Sequence, residues 1–121
     1  MNPVNAISRL VVVAAVPAGM AALFRPEAAR DLEAVLELAV TDADGRRATR
    51  FAVQVTGGRL VVQRRAAPEA GARVAISAGD IARLALGAVP WPALLSRRRL
   101  ELSGDPFLAL RFPQLFGFGE R

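Results

Sequence analysis

The chain is 121 residues long, 53% hydrophobic and 22% charged, a composition that fits one globular domain and excludes a disordered or fibrous chain. It has no histidine, cysteine, tyrosine or lysine, which removes the usual zinc sites, thiol chemistry, Ser-His-Asp and Cys-His catalysis, and P-loop or Schiff-base lysines. All 16 cations are arginines, and the net charge of +5 fits either an anionic partner or arginine used wherever a solvated cation is wanted.

Asn2-Pro3 reads as a cap followed by proline, which predicts a helix from Pro3 to about Val16. Ile7, Leu10, Val11, Val13 and Ala14 ring it nearly all round, so burial on more than one side is expected. Pro17 and Gly19 should then bend the chain. The apolar run to Phe24 is short for a membrane span and is broken by that pair. No convincing small-residue cleavage site follows, so the segment reads as a buried helix rather than a signal peptide. Pro26-Glu27 opens a second short helix, with Glu27 and Asp31 near its positive end.

From Leu36 the period changes to two. Leu36, Leu38 and Val40 alternate inward, Asp42-Ala43-Asp44-Gly45 forms a tight turn, and Phe51, Val53 and Val55 make the next inward face. Gly57-Gly58 reads as a hairpin turn before a third strand, Leu60 to Gln63. An Ala/Pro/Gly loop, Ala66 to Gly71, leads to a fourth strand with Val74 and Ile76 inward. Ser77 and Asp80 then have capping-box spacing for a helix over Ile81 to Leu86, stopped by Gly87. Pro90-Trp91-Pro92 starts another short helix, Ala93 to Ser96.

The last quarter is the most distinctive. Leu100 and Leu102 alternate with Glu101 and Ser103 as in a half-buried strand. Asp105 caps a helix that starts at Pro106. Four of the six phenylalanines follow, at positions 107, 112, 116 and 118, with Pro113 expected to interrupt the helix. So much apolar side chain covers either a solid core or a cavity with a guest. The whole order predicts an α+β domain with a mainly antiparallel sheet and helices on one face.

Candidate chemistry is sparse. Asp42 and Asp44 sit in a turn, Asp80 and Asp105 cap helices, and Glu27, Asp31 and Glu33 lie on a helix. Glu101 lies on the outward side of a strand, and Glu120 is in the tail. No pair is left over for acid–base work, and Gly57-Gly58 joins two strands rather than cradling a phosphate. The chain therefore reads as non-catalytic, with no metal and no cofactor. Arg97-Arg98-Arg99 lacks the interleaved aromatics that stack on nucleic acid. It reads either as a solvated helix end or, beside Trp91, as a contact with anionic membrane worth ~1 kcal/mol per arginine.

Taken together, several pieces of this chain resemble the sterol carrier protein 2 domain, from about Leu36 to Phe116. They are Asp44-Gly45 before Phe51-x-Val53-x-Val55, Gly57-Gly58-Arg59-Leu60, Val74-x-Ile76, Asp80-Ile81 with Gly87, and Leu100-x-Leu102-Ser103-Gly104-Asp105. The resemblance implies a five-stranded sheet, helices on one face, and an apolar tunnel between them for a lipid tail, which the C-terminal helix helps to close. On that reading Phe51, Val53, Leu100 and Leu102 line the tunnel from the strands, and Leu84, Trp91, Leu94 and Leu95 from the middle helices. Phe107, Leu108, Phe112, Leu115 and Phe116 line it from the cover. Where many members show Gly-Lys before the last strand, this chain has Arg98-Arg99. That pair looks more like the sterol-carrier-type accessory proteins of bacterial ubiquinone biosynthesis, whose implied ligands are polyprenylated quinone precursors.

The expectation is thus a single domain over residues 1–121, a helical part at 1–35 and a sterol-carrier-like core at 36–118. It would bind an isoprenoid, sterol-like or acyl lipid for transfer or presentation in the cytoplasm of a bacterium. The rival from another class is a structural domain whose apolar terminal helix docks on a partner protein.

Overall fold

The computed structural model describes residues 3–118, with side chains described from Leu10 onward. Asn2, the side chain of Ile7, and Glu120 lie outside the described residues. The elements in chain order are α1 (Pro3–Leu23), a single 3-10 turn (Pro26–Ala28), β1 (Glu33–Thr41), β2 (Ala48–Thr56) and β3 (Arg59–Gln63). They are followed by β4 (Ala72–Ser77), α2 (Ala78–Ala85), α3 (Trp91–Ser96), β5 (Leu100–Gly104) and α4 (Pro106–Phe116).

The sheet has five strands in the order β3-β2-β1-β4-β5. Three of its ladders are antiparallel, while β1 and β4 run parallel. Register places the alternating apolar residues on one face. Leu38 stands opposite Phe51 on one side and Val74 on the other, and Ile76 is flanked by Val40 and Leu100. Leu36, Leu38, Val40, Phe51, Val53, Val55 and Val74 are fully buried under the helices.

The opposite face carries a device that alternation does not announce. Glu37 is buried there, accepting a 2.7 Å hydrogen bond from the Ala67 amide, with Arg50 at 3.8 Å and Arg73 at 3.7 Å. This carboxylate pins the 66–71 loop across the back of the sheet and buries Ala67.

The local signals mostly act as expected. Ser77 Oγ accepts from the Asp80 amide at 3.2 Å, and Asp105 Oδ1 accepts from the Phe107 amide at 2.9 Å. Asp42 and Asp44 turn the β1–β2 hairpin by accepting from the Arg46 amide. Gly104 is required by space: at φ +86°, an added Cβ would sit 2.5 Å from the Gly71 carbonyl oxygen.

Three expectations are corrected. The first helix does not end near Val16 but continues through Pro17 and Gly19 to Leu23. Val13, Val16 and Met20 form one buried stripe along α1, and their packing across α2 outweighs the hydrogen bond that Pro17 removes. Pro113 likewise sits inside an unbroken α4, buried between Phe112 and Leu115, and its carbonyl accepts the Phe118 amide at 2.8 Å. The helix expected after Pro26 is one turn, and Glu33 belongs to β1.

Candidate functional site

At one end of the molecule the aromatic residues form a knot. The Phe112 ring lies 5.6 Å from Trp91, 5.2 Å from Phe116 and 6.1 Å from Phe118, and Phe24 lies 6.0 Å from Phe116. The Trp91 amide donates to the Phe118 carbonyl at 3.2 Å, tying α3 to the end of the chain that follows α4. The Trp91 indole Nε1 is buried without a hydrogen-bond partner, a cost that the ring's packing outweighs.

The lining residues read from the sequence separate into groups. Phe51, Val53, Phe112, Leu115 and Phe116 meet in the buried centre between sheet and helices, with Trp91 and Leu94 beside them. Leu84 and Phe116 also border an open cleft. Leu100 is buried at the other end of the sheet, and Leu102 and Leu108 are half-buried. Leu95 is exposed, and Phe107 is 80% exposed at the start of α4.

The open apolar space lies elsewhere. A groove of about 270 Å³ runs between α1 and α2, and among the described residues every one that lines it is apolar or glycine. Val12, Val16 and Met20 form one wall, Ile81 and Leu86 the other. It continues, past the shared Leu23, Ala85, Leu86 and Phe118, into a wider cleft of about 610 Å³ at the ends of α1, α2 and α4. Sequence reasoning missed this wall because it took Pro17 as the end of α1. The available signal was a first helix apolar on every side.

A third hollow, about 770 Å³ and largely polar, lies where the β1–β2 turn, the start of α2 and the α3–β5 turn converge. Asp80 is its anchor. Its carboxylate accepts from Arg83 Nη1 at 2.9 Å, Arg99 Nε at 2.9 Å and Arg99 Nη2 at 3.2 Å. Burial works to raise the Asp80 carboxyl, but the hydrogen bonds and charge of Arg99, then Arg83 and Ser77, hold it below the ordinary carboxylate range. Arg99 is therefore turned to an internal acid, while Arg97 and Arg98 remain exposed. Arg98 takes φ 55°, the left-handed region that favours glycine.

Two further acids also have structural partners. Asp31 accepts from Arg111 at 3.1 Å, and Glu69 pairs with Arg65 at 3.0 Å. Among the described residues no three potential ligands converge on a metal site, and no helix is long and apolar enough to cross a membrane.

The family model for the SCP-2 sterol transfer family matches residues 21–117. The chain belongs to that family. Lipid binding is the general function that membership carries. The fold is shared with palmitated SCP2L2 from Aedes aegypti, at 19% identity over 91% of this chain and 95% of that one, with a TM-score of 0.68. It is also shared with a UbiJ-SCP2 ubiquinone synthesis protein, at 22% identity over 89% and 94% of the two chains, TM-score 0.61. The sec-alkylsulfatase Pisa1 from Pseudomonas sp. matches 84% of this chain at 16% identity and TM-score 0.64, but the matched part is only 15% of the sulfatase. Curated protein sequences gave no match. Most of α1, up to Met20, precedes the part matched by the family.

Proposed function

We propose that this protein binds an apolar lipid without catalysing its conversion, for transfer or presentation. The observation that carries this reading is the α1–α2 groove, an open space of about 270 Å³ lined, among the described residues, by apolar side chains and glycine in a family of lipid carriers. Burial of a hydrocarbon chain there gains ~25 cal/mol per Å² removed from water. The internal tunnel would be reached from the wider cleft past Leu84 and Phe116. Phe51, Val53, Phe112 and Leu115 lie packed behind, so a long guest would displace rings to enter. The bound acids support a non-catalytic role, since Asp31, Glu69, Asp80 and Asp105 each serve a cap or an ion pair.

Native mass spectrometry of the purified protein tests this directly. A lipid-mass adduct, or saturable displacement of a fluorescent acyl or polyprenyl probe, is expected; neither being seen would sink the reading. Likeness to the UbiJ-SCP2 protein supports a narrower version, an accessory role in ubiquinone biosynthesis in a bacterial cytoplasm. In that case a polyprenylated phenol should displace the probe more strongly than a sterol does. The exposed Arg97 and Arg98 support docking on anionic membrane, and changing both to Gln should weaken binding to phosphatidylglycerol vesicles at low salt. Equal vesicle binding would exclude that role. The docking-helix rival is supported by Phe107 and Leu110, 80% and 50% exposed one turn apart on α4.

A further inference from the structure

One edge of the sheet is open and flanked by apolar side chains. β5 pairs with β4 alone, and it contains no proline to blunt its free side. Among the described residues seven large apolar side chains are exposed, and three of them lie on the helices that touch β5: Leu95 on α3, and Phe107 and Leu110 on α4. α3 leads into the start of the strand and α4 leaves from its end. The apolar flank therefore has one part at each end of the edge.

Register shows what the backbone offers there. The Asp105 amide donates to the Gly71 carbonyl at 2.8 Å, and Gly104 stands opposite Ala72. In an antiparallel ladder hydrogen-bonded pairs alternate, so Glu101 and Ser103 direct their backbone groups to β4. The N–H and C=O groups of Leu100 and Leu102 consequently point away from β4, toward the open side.

A second copy of the same strand fits this edge at each position. Paired antiparallel about Leu102, the two Leu102 residues would exchange both hydrogen bonds with each other. Glu101 would face Ser103 rather than another acid, and Asp105 would face Arg99 with the exposed Arg98 beside it. The same two-fold turns Leu95 of one copy toward Phe107 and Leu110 of the other. The basic start meets the acidic end, and apolar meets apolar.

We propose that the β5 edge is a homodimer interface, in which two copies pair antiparallel about Leu102 and join their sheets into one. The contact is isologous and closes on itself, and it covers the strand edge and its apolar flank together. It uses none of the residues that line the α1–α2 groove, so it stands or falls apart from lipid binding.

Sedimentation equilibrium of the whole chain tests this. Wild type at about 100 µM should give twice the chain mass of 12.8 kDa. Ser103→Glu would set a carboxylate opposite Glu101 of the other copy, while within one chain position 103 faces Arg73, which suits an acid. It should weaken association about tenfold, and adding Glu101→Arg should restore it. Phe107→Ser, at a side chain 80% exposed in the single chain, should also weaken association about tenfold while the circular dichroism spectrum stays the same. The chain has no cysteine, so Leu102→Cys supplies one reporter at the two-fold. Mild oxidation should link it to a second copy, whereas Val61→Cys, exposed on the other edge strand, should stay single. A dimer that Ser103→Glu or Phe107→Ser leaves unchanged, a loss that Glu101→Arg does not restore, or equal cross-linking at 61 and 102 would overturn the assignment. A wild type that remains at 12.8 kDa would overturn it too, and would leave this edge to a different chain.

Discussion

The two sides of α2 behave differently. Toward the sheet, Phe51, Phe112, Leu36, Leu38 and Leu115 are fully buried and interlocked. Toward α1, the helices meet on Val13, Val16 and Met20 yet leave a groove beside them, with Val11 at 62% and Leu86 at 82% exposure on its rims. The same apolar composition is therefore used in two ways. The sheet supplies a rigid surface whose register fixes every inward side chain, so the helices over it can close completely. Two helices crossing without a sheet between them touch along a stripe, and small residues such as Ala15 and Gly19 leave room outside it.

This contrast is broken most forcefully by removing a ring. Phe112→Ala should cost about 3–5 kcal/mol in denaturant melts of lipid-free protein, because the ring is fully buried among Trp91, Phe116 and Phe118. Val11→Ser on the groove rim should stay within about 0.5 kcal/mol. A Phe112→Ala loss below about 2 kcal/mol would show space already present behind the ring, and the closed side would then be the tunnel itself.

The next largest effect belongs to the polar end. Asp80→Asn removes the charge that holds Arg83 and Arg99, both of which are half-exposed and can turn to water, so a loss of about 1–3 kcal/mol is expected. Its pH dependence has a definite sign. The folded carboxyl lies below its ordinary value of 3.8, so Asp80 stabilises fully at pH values above that figure. The contribution is lost as pH falls through the lowered folded value. Wild type and Asp80→Asn should therefore differ by a constant amount at neutral pH and converge in acid. A gap that widens on acidification would show that burial, not the arginines, governs this carboxyl.

How much of this was legible depends on where each signal is written. The strands, the Ser77 and Asp105 caps and the inward face of Phe51 and Val53 follow from period and neighbours in sequence, and they appear as expected. Pro17 and Pro113 misled because a local break is worth only ~3 kcal/mol, less than the long-range packing of Val13, Val16 and Met20 or of Phe112 and Leu115. Glu37 was invisible for another reason. Its partner, the Ala67 amide, is thirty residues away and is a backbone group that no side-chain pattern encodes. The groove shares that fate, since it exists only once α1 and α2 have been brought together.

The smallest expected effect sharpens the comparison at the turn before β5. Arg98 holds φ 55° although it has a side chain, while Arg99, its neighbour, is committed to Asp80. A non-glycine residue in the left-handed region costs roughly 1 kcal/mol, and glycine's larger unfolded-state entropy returns part of that. Arg98→Gly should accordingly raise stability by a few tenths to about 1 kcal/mol, read as a shift in denaturant midpoint with the slope unchanged. The exposed Arg98 guanidinium would be lost at the same time, so binding to anionic vesicles should fall if this turn meets the membrane. A more stable variant with weaker vesicle binding would mean that the strained arginine is kept for its charge. A variant that is more stable and binds vesicles as before would leave the membrane role without support at this position. A less stable variant would mean that the Arg98 side chain itself stabilises the turn by more than its backbone costs.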